Sequence, residues 1–266
     1  MNETSLSYSV FTKPWPSKSL SELGAFVHTL GFDGVELAVR SGFQVEPDDV
    51  ERQLPKAADR LQRAGVRIFS IAGPSGLPDE RMIATCAEAG VPVIRTMITV
   101  GPEGYLATEA SVQRALGRLV PLLDKYGVTL GVQNHCGQFV NHAMGLRHLM
   151  ERFEPRHIAA IWDAAHNALQ GEPSESALDI IWTYLCMVNL KNAFWQRTTG
   201  PEATQALWRP YWTSGRHGLA SWPAVAAELK RRGYGGVICL TAEYSDESAV
   251  DRLIAEDLAY TRSLFA

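Results

Sequence analysis

Cysteine is sparse. Only four occur in 266 residues, and Cys86, Cys136, Cys186 and Cys239 lie far apart. No CxxC pair exists, which argues against a cysteine-rich zinc site, and the wide spacing argues against a disulfide framework. Long apolar runs are missing as well: nothing reaches the ~18 residues that would read as a membrane-spanning helix. The opening "MNETSLSYSVFTKPW" has neither a basic start nor an apolar stretch, so no secretory leader is read there and a cytoplasmic location is expected. Positive charge is not concentrated. Net charge is −4, and the dense basic patch Lys230 to Arg232 closes a helical pattern, where cations complement the helix macrodipole. A nucleic-acid-binding face needs clustered Lys and Arg, so neither a nucleic-acid nor a membrane partner is expected. A glycine-rich phosphate loop is also lacking: "GPSGLPDE" at 73–80 is neither a GxGxxG fingerprint nor a P-loop.

What is present is apolar content of 46% against 20% charged residues, enough for a substantial core in one domain spanning 1–266. Short apolar runs at 6–12, 34–37, 66–71, 91–97, 128–133, 157–163, 185–190 and 236–241 read as buried parallel strands. Amphipathic patterns near 20–30, 50–64, 79–89, 108–126, 142–152, 174–183, 222–232 and 247–264 read as the helices between them. Ser19 and Glu22 have capping-box spacing at the first helix. Gly31, Gly65, Gly90 and Gly127 each follow a helical pattern, where glycine accommodates a left-handed cap. Pro55 and Pro121 count against unbroken helices and predict a kink or a shifted boundary. Eight βα units suit an α/β protein built as a closed (β/α)8 TIM barrel. The rival, an open doubly wound sheet, would usually have fewer strands and a glycine-rich phosphate loop. The longest irregular region, 191–221, falls between strands seven and eight on the face where barrel active sites form; a functional loop or a short extra helix is expected there.

Polar residues gather at the strand C-termini: Lys13, Glu36, Arg95, Gln133 and His135, Asp163 and His166, Asn189 and Lys191, then Glu243. Convergence on one rim needs a reason, since buried charge is costly unless paired or metal-bound. Asp163 and Glu243 with the neutral oxygens of Gln133 and Asn189 form an all-oxygen set that would favour Mg²⁺ or Mn²⁺ over zinc. The alternative is a polar network with no metal. His166 could bond substrate, orient another group or cap the next turn, and His135 could be hydrogen-bonded structure. Glu36 could bind a hydroxyl or pair with Arg40. Arg95 could bind substrate oxygens or hold a carboxylate, and Lys191 could pair with Glu243 or contact substrate. Trp15, Trp195, Trp208, Trp212 and Trp222 fall on or near loops of this face. Flat rings beside polar donors suit a sugar or cyclitol, or else simply pin the long loop, as expected for the helix-opening Trp222. Trp162 is expected to face the helices.

The segments "GFDGVEL" at 31–37, "YGVTLGVQNH" at 126–135, "WDAAH" at 162–166, "VNLKN" at 188–192 and "GLASWPAVAAELKRRGYGGVICLTAEY" at 218–244 occur in an order that resembles the xylose-isomerase-like barrel superfamily. The resemblance lies in its branch of sugar epimerases, sugar-phosphate isomerases and inosose-processing enzymes and covers nearly the whole chain. It implies one Mn²⁺ or Mg²⁺ held by Glu, Asp, His and Glu, at positions occupied here by Gln133, Asp163, Asn189 and Glu243. Two of those four depart from the pattern, so weaker metal binding is expected. "RHG" at 216–218 stands where relatives often have Gly-Glu-Gly, which places His217 in a substrate-facing loop by analogy. The family's two-glutamate proton transfer is excluded at Gln133, which cannot accept a proton at ordinary pH. A one-base reaction remains, with Glu243 taking the proton, the ion or Arg95 stabilising an enolate, and His166 or His217 protonating a leaving hydroxyl. The readings are therefore a metal-assisted isomerase or lyase on a sugar, keto-sugar or cyclitol, a non-catalytic carbohydrate-binding or regulatory barrel, and a metal-free lyase using Glu243, His166 and Lys191. Lys13 and Trp15 join Glu36, Arg95, His135 and His217 as expected substrate contacts. By the same analogy the chain is expected to form a homodimer.

Overall fold

The computed structural model describes residues 6–74 and 76–266; the first five residues, where a leader was sought, and Ser75 of "GPSGLPDE" lie outside the described residues. The strands are β1 (Ser7–Phe11), β2 (Gly34–Ala38), β3 (Arg67–Ala72), β4 (Val93–Thr96), β5 (Thr129–Gln133), β6 (Ile158–Asp163), β7 (Leu185–Leu190), β8 (Asn192–Arg197), β9 (Trp208–Thr213) and β10 (Val237–Leu240). The α-helices are α1 (Leu20–Leu30), α2 (Val50–Arg63), α3 (Glu80–Glu88), α4 (Tyr105–Tyr126), α5 (Ala143–Met150), α6 (Ala164–Leu169), α7 (Ser174–Ile181), α8 (Trp222–Arg231) and α9 (Val250–Phe265). Strands β1 to β7 and β10 close into one parallel barrel, with β10 seated between β7 and β1. Its helices form the outer layer, so the chain is a (β/α)8 TIM barrel, as the alternation of apolar runs predicts. Among the described residues no helix is long and apolar enough to cross a membrane.

Alternation along each strand sorts the side chains. Trp162 joins the large core shared with the helices, as expected, while its neighbour Ile161 packs in a small inner cluster with Phe11, Ala38, Ala72, Met187 and Cys239. That inner cluster is the apolar floor on which the rim residues stand. It is tight: a Cβ on Gly131 would come within 2.5 Å of Ile161 Cδ1, so any larger residue two positions below Gln133 would force Ile161 to shift. The β6–β7 register pairs Asp163 with Asn189, and β10–β7 pairs Cys239 with Asn189, which sets those polar groups side by side.

The helix ends follow local chemistry. Ser19 and Glu22 form the full reciprocal capping box on α1, and Gly31 closes it in the left-handed region at φ 91°. Helices α2 and α4 continue through Pro55 and Pro121, so neither proline ends its helix. The carbonyls each proline leaves without a helical donor belong to Glu51 and Gly117, both exposed. A correction concerns 191–221, which contains an antiparallel hairpin instead of a short helix. Strands β8 and β9 pair from Asn192–Thr213 to Arg197–Trp208. Asn192 ties its base down, donating to the carbonyls of Gly215 and Ala220 at 2.9 Å each. The six-residue α6 was not anticipated either; Asp163 caps it by accepting from the backbone N–H of His166.

Candidate active site

The rim is built from the C-terminal ends of the barrel strands. Glu36 on β2 is fully buried, and its Oε1 accepts from Arg95 Nε at 2.8 Å and from Ser70 Oγ at 3.1 Å. The guanidinium then donates from Nη1 to Gln133 Oε1. Gln133 passes the chain on, donating from Nε2 to Asp163 Oδ2 at 3.1 Å. Asp163 Oδ1 is taken by the His166 N–H at 3.0 Å. Burial pushes the Asp163 carboxyl up to about 6, although Lys191 pulls it the other way. The next residue along from Gln133, Asn134, points elsewhere: its amide bonds the backbone N–H and carbonyl of Asp163, at 2.7 and 3.1 Å, and so stitches the strand ends together.

Glu243 stands just after β10, on the far side of this network. Ala242 before it has φ +53°, the one non-glycine residue in the left-handed region among the described residues, and that turn aims the glutamate at the rim. Both carboxylate oxygens are occupied by cations. Lys13, just past β1, donates to Oε1, and Lys191 donates to Oε2 at 2.6 Å. Burial would raise the Glu243 pKa, but the two ammonium groups outweigh it and hold the carboxyl well below its usual range. The two lysines differ in restraint. Lys191 has 5% of its side chain exposed, with Nζ 3.7 Å above the Trp212 ring, whereas the Lys13 side chain is 45% exposed.

His135 and His166 stack with ring centroids 3.9 Å apart, and Trp212 meets His166 edge-on. His135 Nδ1–H donates to the Cys136 carbonyl at 2.7 Å, leaving Nε2 as an acceptor. His166 Nδ1 accepts from the Cys136 N–H at 3.3 Å, so its proton sits on Nε2 and that nitrogen is a donor. Desolvation lowers both imidazole pKa values, that of His166 strongly, and keeps both rings neutral. A cavity of about 640 Å³ opens beside Glu243, lined by Lys13, Trp15, Trp212, Tyr244 and Asp251 among others. Trp15 is buried in its wall with Nε1 donating to Asp251 at 2.8 Å.

The structure thus draws Lys13, Glu36, Arg95, Gln133, His135, Asp163, His166, Asn189, Lys191 and Glu243 to one end of the barrel. His217 is exposed, with Nδ1 and Ser214 Oγ 2.8 Å apart. Trp212, only one tryptophan among several in the sequence, becomes a site residue through the hairpin. Its signal was the alternation of "WRPYWT", which places every second residue on one face.

A divalent ion on Gln133, Asp163, Asn189 and Glu243 does not fit these contacts. Both Glu243 oxygens face ammonium groups, both Asp163 oxygens face N–H donors, and the Gln133 oxygen faces a guanidinium. Only the Asn189 amide is uncommitted, buried with neither Oδ1 nor Nδ2 partnered. Glu36 Oε2 is likewise buried and unpartnered. A separate partial chelating cluster exists: ligand atoms of His135, Cys136 and His166 all lie within 4.8 Å of one another.

Residues 25–264 match the family described as xylose isomerase-like TIM barrel, and the chain belongs to that family. Several solved structures share the fold. One is 3-keto-D-glucoside 4-epimerase, YcjR, from E. coli in its apo form, with TM-score 0.73 and 14% identity over 97% of this chain and 99% of that one. Another is D-psicose 3-epimerase with D-tagatose from Clostridium cellulolyticum H10, with TM-score 0.70 and 13% identity over 97% and 99%. A third is the probable 3-DHS dehydratase AsbF from Bacillus anthracis, with TM-score 0.72 and 14% identity over 96% and 98%. At such identities the likeness is one of fold. No curated protein sequence matches the chain.

Proposed function

We propose that the protein is an isomerase or lyase acting on a keto-sugar or cyclitol, with Glu243 removing a proton from the carbon next to the carbonyl. The observation that carries this reading is Glu243 itself: a carboxylate at the edge of a sugar-sized cavity, bracketed by two ammonium groups. Family membership supports it, since similar folds include two sugar epimerases and a probable dehydratase.

In the resting site Glu243 is a weak base. Substrate changes that. The exposed Lys13 exchanges its carboxylate oxygen for the substrate carbonyl oxygen. One ammonium leaves the glutamate, its basicity rises, and the same cation now faces the oxygen that becomes negative. The proton passes from carbon to Glu243, the C–H pair forms the C=C bond, and the carbonyl pair moves onto oxygen. In the lyase branch the enolate re-forms C=O and expels the hydroxyl on the β-carbon, which leaves as water with the proton Glu243 has just taken, while the neutral His166 donates a hydrogen bond from Nε2 to the departing oxygen. In the isomerase branch the hydroxyl proton of the enediolate passes from one oxygen to the other, and Glu243 returns its proton to the former carbonyl carbon on the same face as the new C=O forms. Lys191 remains on Glu243 and fixes its position. Glu36 Oε2 and the Asn189 amide supply an acceptor and a donor–acceptor pair for substrate hydroxyls.

The resting ion pairs of Glu243 also favour a second reading, a barrel that binds sugars without turnover. Proton NMR in D₂O, over a panel of keto-sugars and inososes, separates the two. Turnover with deuterium entering next to the carbonyl is expected for the wild-type protein. Glu243→Gln should lower the rate at least about 10³-fold while ligand binding persists. An unchanged rate in that variant rules out Glu243 as the base, and binding with no exchange by the wild type favours the second reading.

A further inference from the structure

We infer that this barrel works without the divalent ion of its relatives, and that the Lys13 ammonium takes over the electrostatic role of that ion. The inference rests on the reading of Glu243 as the base.

Charge comes first. The rim holds three carboxylates, Glu36, Asp163 and Glu243, and three cations, Lys13, Lys191 and Arg95, linked through the bonds described above. Within this bonded set the charges balance, and the half-buried Arg40 faces Glu36, Glu243 and Arg95 as well. A doubly charged ion would enter a network in which every carboxylate is already in contact with a cation or an N–H donor, and would have to displace one of them. Donor chemistry comes second. Gln133 turns its N–H₂ toward Asp163 because its oxygen is held by Arg95. To ligate an ion it would have to flip and abandon both partners. Asn189 contributes a neutral oxygen in place of an anion or an imidazole. A hard cation would then rest on two carboxylates, each of which must first shed its hydrogen bonds.

Mobility comes third. A metal substitute must face the carbonyl oxygen and yield to substrate. Lys191 cannot do this, as its ammonium is wedged between Glu243 and the Trp212 ring. Lys13 can, because it sits on an exposed turn after β1 with its side chain half in solvent. It brings one positive charge and movable N–H donors to the place where negative charge develops.

The test is a Mn²⁺ titration of chelator-treated protein, followed by electron paramagnetic resonance of the free ion. The wild type is expected to leave the signal of free Mn²⁺ undiminished at millimolar concentration. The triple variant K13A/Q133E/N189H, which removes the ammonium and restores an anionic and an imidazole donor, is expected to take up one ion per chain. Stoichiometric Mn²⁺ uptake by the wild type that is abolished by Glu243→Ala would overturn the inference, and this arm needs no variant that folds poorly. In the D₂O exchange assay, turnover should survive EDTA. Lys13→Ala should lose about 100-fold in kcat, with partial recovery in Lys13→Arg. Loss of turnover on chelation, restored by Mn²⁺, would also overturn it. Should Glu243 prove not to be the base, the Mn²⁺ titration still decides the metal question by itself.

Discussion

Gln133 holds Arg95 with its oxygen and Asp163 with its amide nitrogen, and a carboxylate there would keep only the first of these. Gln133→Glu would set two carboxylates against each other in a buried place. We expect it to destabilise the fold by on the order of 1–3 kcal/mol at pH 8, measured by urea denaturation. The pH trend follows from Asp163, whose folded carboxyl is already raised to about 6 by burial. A raised carboxyl stabilises fully below its unfolded pKa and loses that contribution as pH rises through the folded one. A second negative charge raises it further, so the deficit of the variant should be greatest above that higher value and shrink as pH falls toward about 6. At this scale the site was partly legible. Polar types at the ends of apolar runs mark Glu36, Gln133, Asp163, Asn189 and Glu243, because a barrel strand must end at the rim. That both oxygens of Glu243 would be occupied was not legible: Lys13 and Glu243 are 230 residues apart, and side-chain pairing across such a distance depends on closure.

The hairpin of β8 and β9 divides into two parts with different duties. Its base is anchored by Asn192 and carries Trp212 into the site, while residues 200–209 at its tip are exposed. Replacing 200–206 by a tight turn is therefore expected to shift Tm by less than about 2 °C and to leave exchange activity intact. Trp212→Ala frees the Lys191 ammonium from its ring and should raise KM and lower kcat together, by roughly 10-fold or more in kcat/KM. The two readouts, thermal unfolding and steady-state kinetics, separate tip from base. This element escaped the sequence reading for a physical reason. Its aromatic and charged residues face a half-wet surface on both sides, so no apolar stripe marks it, whereas β6 is apolar from Ile158 to Trp162 and buried throughout. Helix α6 escaped because six residues are under two turns, too few for a period to show.

Across the whole molecule, Asp257 on α9 joins segments that are remote in sequence. It accepts from Tyr244 Oη at 2.8 Å and from the Gly215 N–H at 2.9 Å, linking the last helix to the turn after β10 and to the loop after β9. Burial pushes its carboxyl up to about 6. Its contribution to stability is therefore full below the unfolded value near 3.8 and fades as pH rises through the folded one. The Tm difference between wild type and Asp257→Asn is expected to narrow by about 3 °C or more between pH 4 and pH 7.5, by differential scanning fluorimetry. The barrel as a whole was the most legible level, because eight buried strands at regular intervals leave few other arrangements.

Strands β1 and β10 lie side by side, and the Lys13–Glu243 pair straddles the line where they meet. On a ribosome the lysine emerges long before its glutamate, so no partly synthesised chain can hold the pair. Activity that depends on the pair would then appear only after synthesis has passed Glu243, and a chain truncated before β10 would be inert however much of its barrel had formed.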